Sequence, residues 1–127
     1  MNVMVVDASA LAAIIFDEPE GEEIASRLDG VKIFAPALLG FEIANVCLTK
    51  LRRHPELRDR ILQAFSLRGG LIVEVAEVDH DGILPLAERF ALSGYDASYL
   101  WLADHLDAEL VTLDRQLARA AALLRPG

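Results

Sequence analysis

The sequence has one cysteine, two lysines and no long apolar run, and each scarcity excludes a class of protein. Cys47 alone can form neither an internal disulfide nor a CxxC site, and its helical neighbours Ile43 and Leu51 predict a small side chain in the core. No apolar stretch is long enough to cross a bilayer, and the segment MNVMVVDAS lacks the basic flank and cleavage site of an export signal. We therefore expect a cytoplasmic protein without a membrane partner.

Positive charge is scarce as well, because ten arginines and two lysines stand against twenty acids and leave a net charge of -8. Phosphate contacts need lysine or arginine, so this balance argues against broad, charge-driven adhesion to nucleic acid. It does not exclude an enzyme that acts on RNA, since bound divalent cations would neutralise several of the acids. The excess of arginine over lysine suits bidentate phosphate contacts and ordinary surface pairing equally well.

The sequence does contain an alternation of short β-branched runs and longer helical patterns over 127 residues, enough for one core and one domain, 1–127. The alternation predicts an α/β fold with a mainly parallel sheet of about four or five strands, covered by helices on both faces. Gly94 is expected to break the chain between the last two long helices. The predicted strands are 3–7, 31–36, 71–78 and 108–114, and the predicted helices are 8–16, 18–30, about 37–53, 55–70, 81–92, 95–106 and 115–121.

Acidic residues follow the predicted strands, where ligands gather in parallel α/β folds. Asp7 ends the first strand, Asp114 ends the last strand shortly after Thr112, and Asp96 begins a helix. Aspartate is also a favoured helix N-cap, and this reading stays open for Asp96 and Asp114. For Asp7 capping is the weaker explanation, because Ser9 would cap the following helix equally well.

Glu42 cannot be a helix cap, because it lies about five residues inside its predicted helix. Together with Asn45, Thr49 and Arg53 it forms a narrow polar seam on a helix that is otherwise apolar. The seam either faces water, as amphipathic helices usually do, or carries a partly buried carboxylate that a bound cation stabilises.

Four acids from four separate segments, Asp7, Glu42, Asp96 and Asp114, would repel one another in a single pocket unless cations neutralised them. All-oxygen ligation favours Mg²⁺ or Mn²⁺ over zinc, which prefers histidine or cysteine. His54, His80 and His105 have no ligand spacing and are predicted to be surface residues.

The segments VVDASAL, FEIAN, GYDASYLWLA and LVTLD, in this order, resemble the PIN-domain family and specifically its VapC toxin branch. The resemblance covers nearly the whole chain. It implies a PIN-like fold and a Mg²⁺-dependent endoribonuclease, with Mn²⁺ as the other candidate metal, whose metal-binding and catalytic quartet falls on Asp7, Glu42, Asp96 and Asp114. Ser9, Asn45 and Thr112 fall at positions of supporting polar residues, although Ser9 is equally well read as an N-cap. With this ligand set, hydrolysis of RNA would leave 5′-phosphate and 3′-hydroxyl ends.

The resemblance also implies partners: an RNA substrate, a second copy in a homodimer, and an inhibitory VapB-type antitoxin that places a basic side chain among the acids. Trp101 is a candidate for the subunit interface, since aromatic residues concentrate there, unless its helix is simply buried on both sides.

Three other functions compete with a nuclease. A phosphoacceptor receiver domain needs a lysine at a late strand end, but Lys32 and Lys50 both lie in the early half. A phosphatase with an aspartyl nucleophile needs an acid two residues after Asp7, where Ser9 stands. A non-catalytic PIN-like module that binds RNA or protein remains the alternative, because a fold alone does not establish activity.

Overall fold

A four-stranded parallel sheet forms the centre of the molecule, with strand order β3-β2-β1-β4. The computed structural model describes residues 2–125. β1 pairs with β2 on one side and with β4 on the other, in a register that sets Val5 opposite Phe34 and Leu110. The strands are β1 (Val3–Val6), β2 (Lys32–Ala35), β3 (Val73–Val75) and β4 (Glu109–Val111).

Seven α-helices in the described part of the chain connect and flank these strands, as the predicted α/β alternation requires. Short 3-10 turns at 55–57 and 68–70 bracket the fourth helix. The helices are α1 (Ala8–Ile15), α2 (Gly21–Leu28), α3 (Leu38–Arg53), α4 (Arg58–Leu67), α5 (His80–Phe90), α6 (Gly94–His105) and α7 (Arg115–Leu124).

The core lies between the sheet and helices α1, α2, α3, α6 and α7. Val5 and Val6 of β1 and Val111 of the adjoining strand β4 are at most 1% exposed, and Tyr99 and Leu100 of α6 are equally buried. Cys47 is buried as predicted, and His54, His80 and His105 are exposed as predicted. No helix of residues 2–125 combines the length and the apolar character that crossing a membrane requires.

Several predicted boundaries are wrong, and each error has a local cause. β3 covers three residues instead of 71–78, because it pairs only with β2 and its outer edge has no partner. α2 begins at Gly21, so Pro19 precedes the helix. Gly94 is the first residue of α6 and does not break the chain. The break comes earlier, where α5 ends at Phe90 and its C-cap Ala91 adopts a left-handed conformation with φ of 55°. β1 and β4 lie side by side in parallel, so Asp7 and Asp114 both stand at the carboxyl ends of the strands, whereas Glu42 and Asp96 lie in α3 and α6.

Candidate metal centre

Asp7 directly follows β1 and is 6% exposed, so a charged side chain stands where water is nearly excluded. Its carboxylate accepts hydrogen bonds on both oxygens. Oδ1 accepts from the Ser9 hydroxyl at 2.7 Å and the Ala10 amide at 3.1 Å, and Oδ2 accepts from the Thr112 hydroxyl at 2.5 Å. A carboxylate has about four lone-pair positions, so one position on Oδ2 stays free for a further ligand.

Asp7 is also the N-cap of α1, which corrects the expectation that Ser9 would cap this helix. Ser9 lies in the first turn of the helix, and its hydroxyl donates a hydrogen bond to Asp7. Its oxygen accepts from the Leu113 amide at 2.9 Å, while the Thr112 oxygen accepts from the Asp114 amide at 3.0 Å. The two hydroxyls therefore link the end of β1 to the loop that follows β4.

The other two aspartates differ in how they are held. Asp114 is the N-cap of α7, since its Oδ1 accepts from the Leu117 amide at 3.0 Å, and its Oδ2 is left for another contact. Asp96 does not cap α6, so that reading of the sequence is wrong. Ser93 is the cap, and its hydroxyl accepts the Asp96 amide at 3.0 Å. The Asp96 carboxylate is thereby free of helix capping.

Glu42 is half-buried on α3, and Tyr99 of α6 donates its hydroxyl proton to Glu42 Oε1 at 2.5 Å. Tyr99 itself is 1% exposed. Tyr99 was not among the site residues predicted from the sequence. The available signal was its position three residues after Asp96, on the same side of α6. Asn45, in contrast, is exposed, and within residues 2–125 it forms no hydrogen bond with an acid.

The four acids lie close enough for their charges to affect one another's pKa. Burial is the main cause that raises the pKa of Asp7, Glu42 and Asp96. The negative charge of Asp114 raises the pKa of Asp7 and Asp96 further, and that of Asp96 and Asp7 raises the pKa of Glu42. Hydrogen bonds from Thr112, Ser9 and the Ala10 amide oppose the effect at Asp7. Burial and the bond to Glu42 also raise the pKa of Tyr99.

Carboxylate oxygens are the ligands that Mg²⁺ and Mn²⁺ prefer, so the chemistry of these side chains fits such a cation. Within residues 2–125, however, no three acid, histidine or cysteine side chains converge closely enough to form a ready metal cage. The four acids are therefore neighbours whose charges raise one another's pKa, but their oxygens do not form a ready three-ligand site among the described residues.

An open groove of about 830 Å³ lies beside these acids. The exposed aromatic rings of Phe41 and Tyr95 line it, each directly preceding an acid of the centre in the sequence, and Ser98 and His80 contribute polar groups. None of the four acids lines the groove itself, and Glu77 is the acid that does.

Comparisons with known proteins agree with this architecture. Residues 4–123 match the family model described as PIN domain. Ribonuclease VapC3 of Pyrobaculum aerophilum is 32% identical and is aligned over 97% of this chain and 98% of its own length. Ribonuclease VapC9 of Mycobacterium tuberculosis is 36% identical, over 91% of this chain and 89% of its own length. The crystal structure of PAE2754 from Pyrobaculum aerophilum superposes with a TM-score of 0.72 and 26% identity, over 94% of this chain and 87% of that one.

Proposed function

The chain belongs to the PIN-domain family and to its VapC branch, and on this premise we propose that it is a toxin endoribonuclease that depends on Mg²⁺ or Mn²⁺. The main support is the Asp7 carboxylate, which is almost fully buried, held on both oxygens and within electrostatic reach of Asp114. A carboxylate in this position without a counterion is costly, and a dication would remove that cost.

Asp7 and Asp96 are proposed to hold the metal, with Glu42 and Asp114 completing its surroundings directly or through water. A bound dication would supply Lewis acidity, lowering the pKa of a water and offsetting charge on a phosphodiester. The chain supplies orientation: Ser9 and Thr112 fix both oxygens of Asp7, and Tyr99 fixes one oxygen of Glu42. Asn45 was expected to support one of the acids, but no hydrogen bond of the described residues joins Asn45 to an acid.

The proposed partners follow from the charge of the centre. A VapB-type antitoxin would inhibit by inserting a basic side chain among the four acids, whose mutual repulsion favours any cation. Adding the purified antitoxin should then abolish cleavage, and replacing the inserted basic residue by glutamine should restore it. A homodimer and a cytoplasmic location remain parts of the same proposal.

Trp101, the residue proposed for the subunit interface, contacts α5 within the same chain. A Cβ built on Gly82 would lie 2.4 Å from its Nε1, so α5 covers part of the indole ring.

The decisive experiment compares Asp7→Asn with Asp29→Asn in cleavage of an RNA panel with Mn²⁺. Asp29 is exposed just after α2 and precedes the amino-terminal end of β2, whereas the acids follow the carboxyl ends of strands. The control therefore makes the same chemical change away from the centre. Asp7→Asn should lower the cleavage rate by at least about a hundredfold, because several kcal/mol of metal-derived stabilisation are lost. Asp29→Asn should cleave at the wild-type rate.

A thermal unfolding scan separates loss of chemistry from loss of fold. Asp7→Asn removes a buried charge that Asp114 repels, and its carbonyl oxygen can keep the bonds to Ser9 and the Ala10 amide, but the Thr112 hydroxyl then faces an amide NH2 in place of Oδ2. Because these effects oppose each other, the metal-free variant should unfold cooperatively at a thermal midpoint within about 5 °C of the wild type. Asp96→Asn, at a more exposed position, gives a second test of the same kind. If Asp7→Asn and Asp96→Asn both cut RNA at the wild-type rate, these acids do not hold the catalytic metal and the proposed site is wrong. If the wild type cuts no RNA of the panel, the chain is a non-catalytic PIN-like module and the proposed activity is wrong.

A further inference from the structure

Positive charge is concentrated in one part of this acidic chain. The segment 50–68 carries six of the twelve lysines and arginines and only two of the twenty acids, so its charge is +4 while the rest of the chain carries -12. It covers the end of α3, the turn at 55–57 and all of α4. We call these residues the basic segment. A polyanion approaching the protein would be attracted here and repelled elsewhere.

The arginines of the basic segment are available to a ligand. Arg52, Arg53, Arg58 and Arg60 are exposed, and among the described residues none of them lies within ion-pair distance of an acid. Lys50, by contrast, pairs with Glu18 at 3.4 Å. An unpaired guanidinium keeps all its N–H groups for an external acceptor, and its planar fork matches a phosphate group.

The polar seam of α3 leads from the acids to this segment. Glu42, Asn45, Thr49 and Arg53 recur every three or four residues and so share one side of the helix. Asn45, Thr49 and Arg53 line a shallow groove of about 330 Å³ together with Glu18, Val46 and Lys50. At about 1.5 Å of rise per residue, Arg53 lies about 16 Å along the helix from Glu42. A few nucleotides of extended RNA would span this distance.

A second groove continues the positive surface onto α4. Its volume is about 290 Å³, it shares Lys50 with the first groove, and Arg60 and His54 are among its lining residues. Asp17 also lines it, so each groove holds one acid against two permanent cations. The two grooves together form a path with positive charge at its far end, and its near end at Asn45 lies about one helical turn from Glu42 on the same side of α3.

We propose that this path is the track for the sugar-phosphate backbone of a single-stranded RNA substrate, with Arg53 and Arg60 binding phosphates and Asn45 and Thr49 offering hydrogen bonds on the way to Glu42. The inference rests on the proposed nuclease function. An acidic protein segment would match the charge of the basic segment, but it would gain nothing from a path that ends at four carboxylates. RNA uses both ends of the path, because its phosphates bind arginine and one of them must reach the metal centre.

Two variants with the same net charge test the track. Arg53→Gln with Arg60→Gln removes two cations from the path, and Arg89→Gln with Arg119→Gln removes two exposed cations from α5 and α7. Both pairs carry Asp96→Asn to suppress cleavage. Binding of a fluorescent polyuridine RNA is measured by anisotropy with Mg²⁺ between about 50 and 200 mM salt. For single strands, each lost phosphate contact lowers the slope of log affinity against log salt by about 0.7, so the track variant should lose about 1.4.

The control pair should keep the slope of its Asp96→Asn parent. Equal slopes for the two pairs would overturn the track, since the loss would then reflect net charge and not position. Cleavage by the unmodified protein with Mn²⁺ is measured in parallel. Cleavage with equal slopes refutes the track alone, whereas no cleavage of any RNA refutes the proposed function on which the track rests.

Discussion

The Asp7 carboxylate accepts one hydrogen bond from each of two hydroxyl groups, and each hydroxyl oxygen accepts a hydrogen bond from a backbone amide. Each donor is therefore fixed by a bond of its own, and Asp7 cannot rotate without breaking several contacts. Charged hydrogen bonds of this kind contribute about 1.5–3 kcal/mol each, which offsets part of the cost of burial. The side chain is thus oriented before any cation arrives.

Tyr99 gives the sharpest test at the scale of single residues. Tyr99→Phe removes the hydroxyl that donates to Glu42 Oε1 and leaves the buried ring in place. Glu42 then loses its orientation, and the affinity for Mn²⁺ should fall by about tenfold, the lower end of the effect expected when a ligand's supporting hydrogen bond is lost. Isothermal calorimetry with Mn²⁺ measures this directly, and the rate of RNA cleavage should fall in parallel.

Tyr95→Phe is the matched control, because Tyr95 is 68% exposed and its hydroxyl has no hydrogen-bond partner within residues 2–125. It should bind Mn²⁺ as the wild type does. Equal Mn²⁺ affinity in both variants would mean that the Tyr99 hydroxyl plays no part in metal binding.

At this scale the sequence predicted the residues that stand at strand ends and missed the contact between distant helices. Ser9 and Thr112 could be found because they flank acids that follow strands. The bond between Tyr99 and Glu42 joins residues 57 positions apart, and no local pattern encodes how α3 and α6 meet. Asn45 was placed correctly on the polar side of α3, but helical spacing alone could not tell whether that side faced the acids or water.

Among the elements, α5 and α6 pack closely because Gly82 leaves room for Trp101. A Cβ at position 82 would lie 2.4 Å from the indole Nε1 and 3.2 Å from Asp79 Oδ2. Gly82→Ala should therefore destabilise the protein by about 1–2 kcal/mol, since displacing the indole outweighs the gain of alanine in a helix. Urea unfolding followed by tryptophan fluorescence would measure the change and report on Trp101 itself.

Gly40→Ala is the control for helix propensity, because a Cβ at position 40 meets no atom within 4 Å. This change in α3 should be neutral or stabilising by up to about 1 kcal/mol. A Gly82→Ala protein as stable as Gly40→Ala would show that the indole moves away at no cost.

The order of strands and helices followed from hydrophobic periodicity, whereas their ends did not. Asp96 could be read as an N-cap from the sequence, but Ser93 caps α6 instead, so the Asp96 carboxylate is not used in capping. At β3, the run 71–78 has strand character throughout, but only Val73–Val75 forms a strand, paired on one side with β2. Both outcomes depend on neighbours that a local pattern does not reveal.

For the whole molecule, clustered acids make stability depend on pH. Asp7, Glu42 and Asp96 have pKa values raised chiefly by burial, so the folded chain holds their protons more tightly than the unfolded chain. This contribution to the free energy of unfolding is present below the ordinary carboxyl pKa and is lost as the pH rises through the raised values. The metal-free protein should therefore lose stability as the pH rises from about 4 towards neutrality.

A dication should restore what ionisation removes. It binds deprotonated carboxylates, so Mg²⁺ or Mn²⁺ should raise the thermal midpoint more at about pH 7.5 than at about pH 5. Scanning calorimetry with the cation and with a chelator at both pH values measures the difference. Asp7→Asn should reduce it; an equal rise at both pH values would contradict a carboxylate site.

The Thr112 hydroxyl that fixes Asp7 comes from a strand that lies beside β1 in space but more than a hundred residues later in the chain. A ribosome therefore makes Asp7 more than a hundred residues before it makes Thr112 and Asp114. A nascent chain stalled before β4 lacks part of the sheet and one of the four acids. The RNA-cutting activity proposed here would thus be absent from a nascent chain until β4 has emerged and paired with β1.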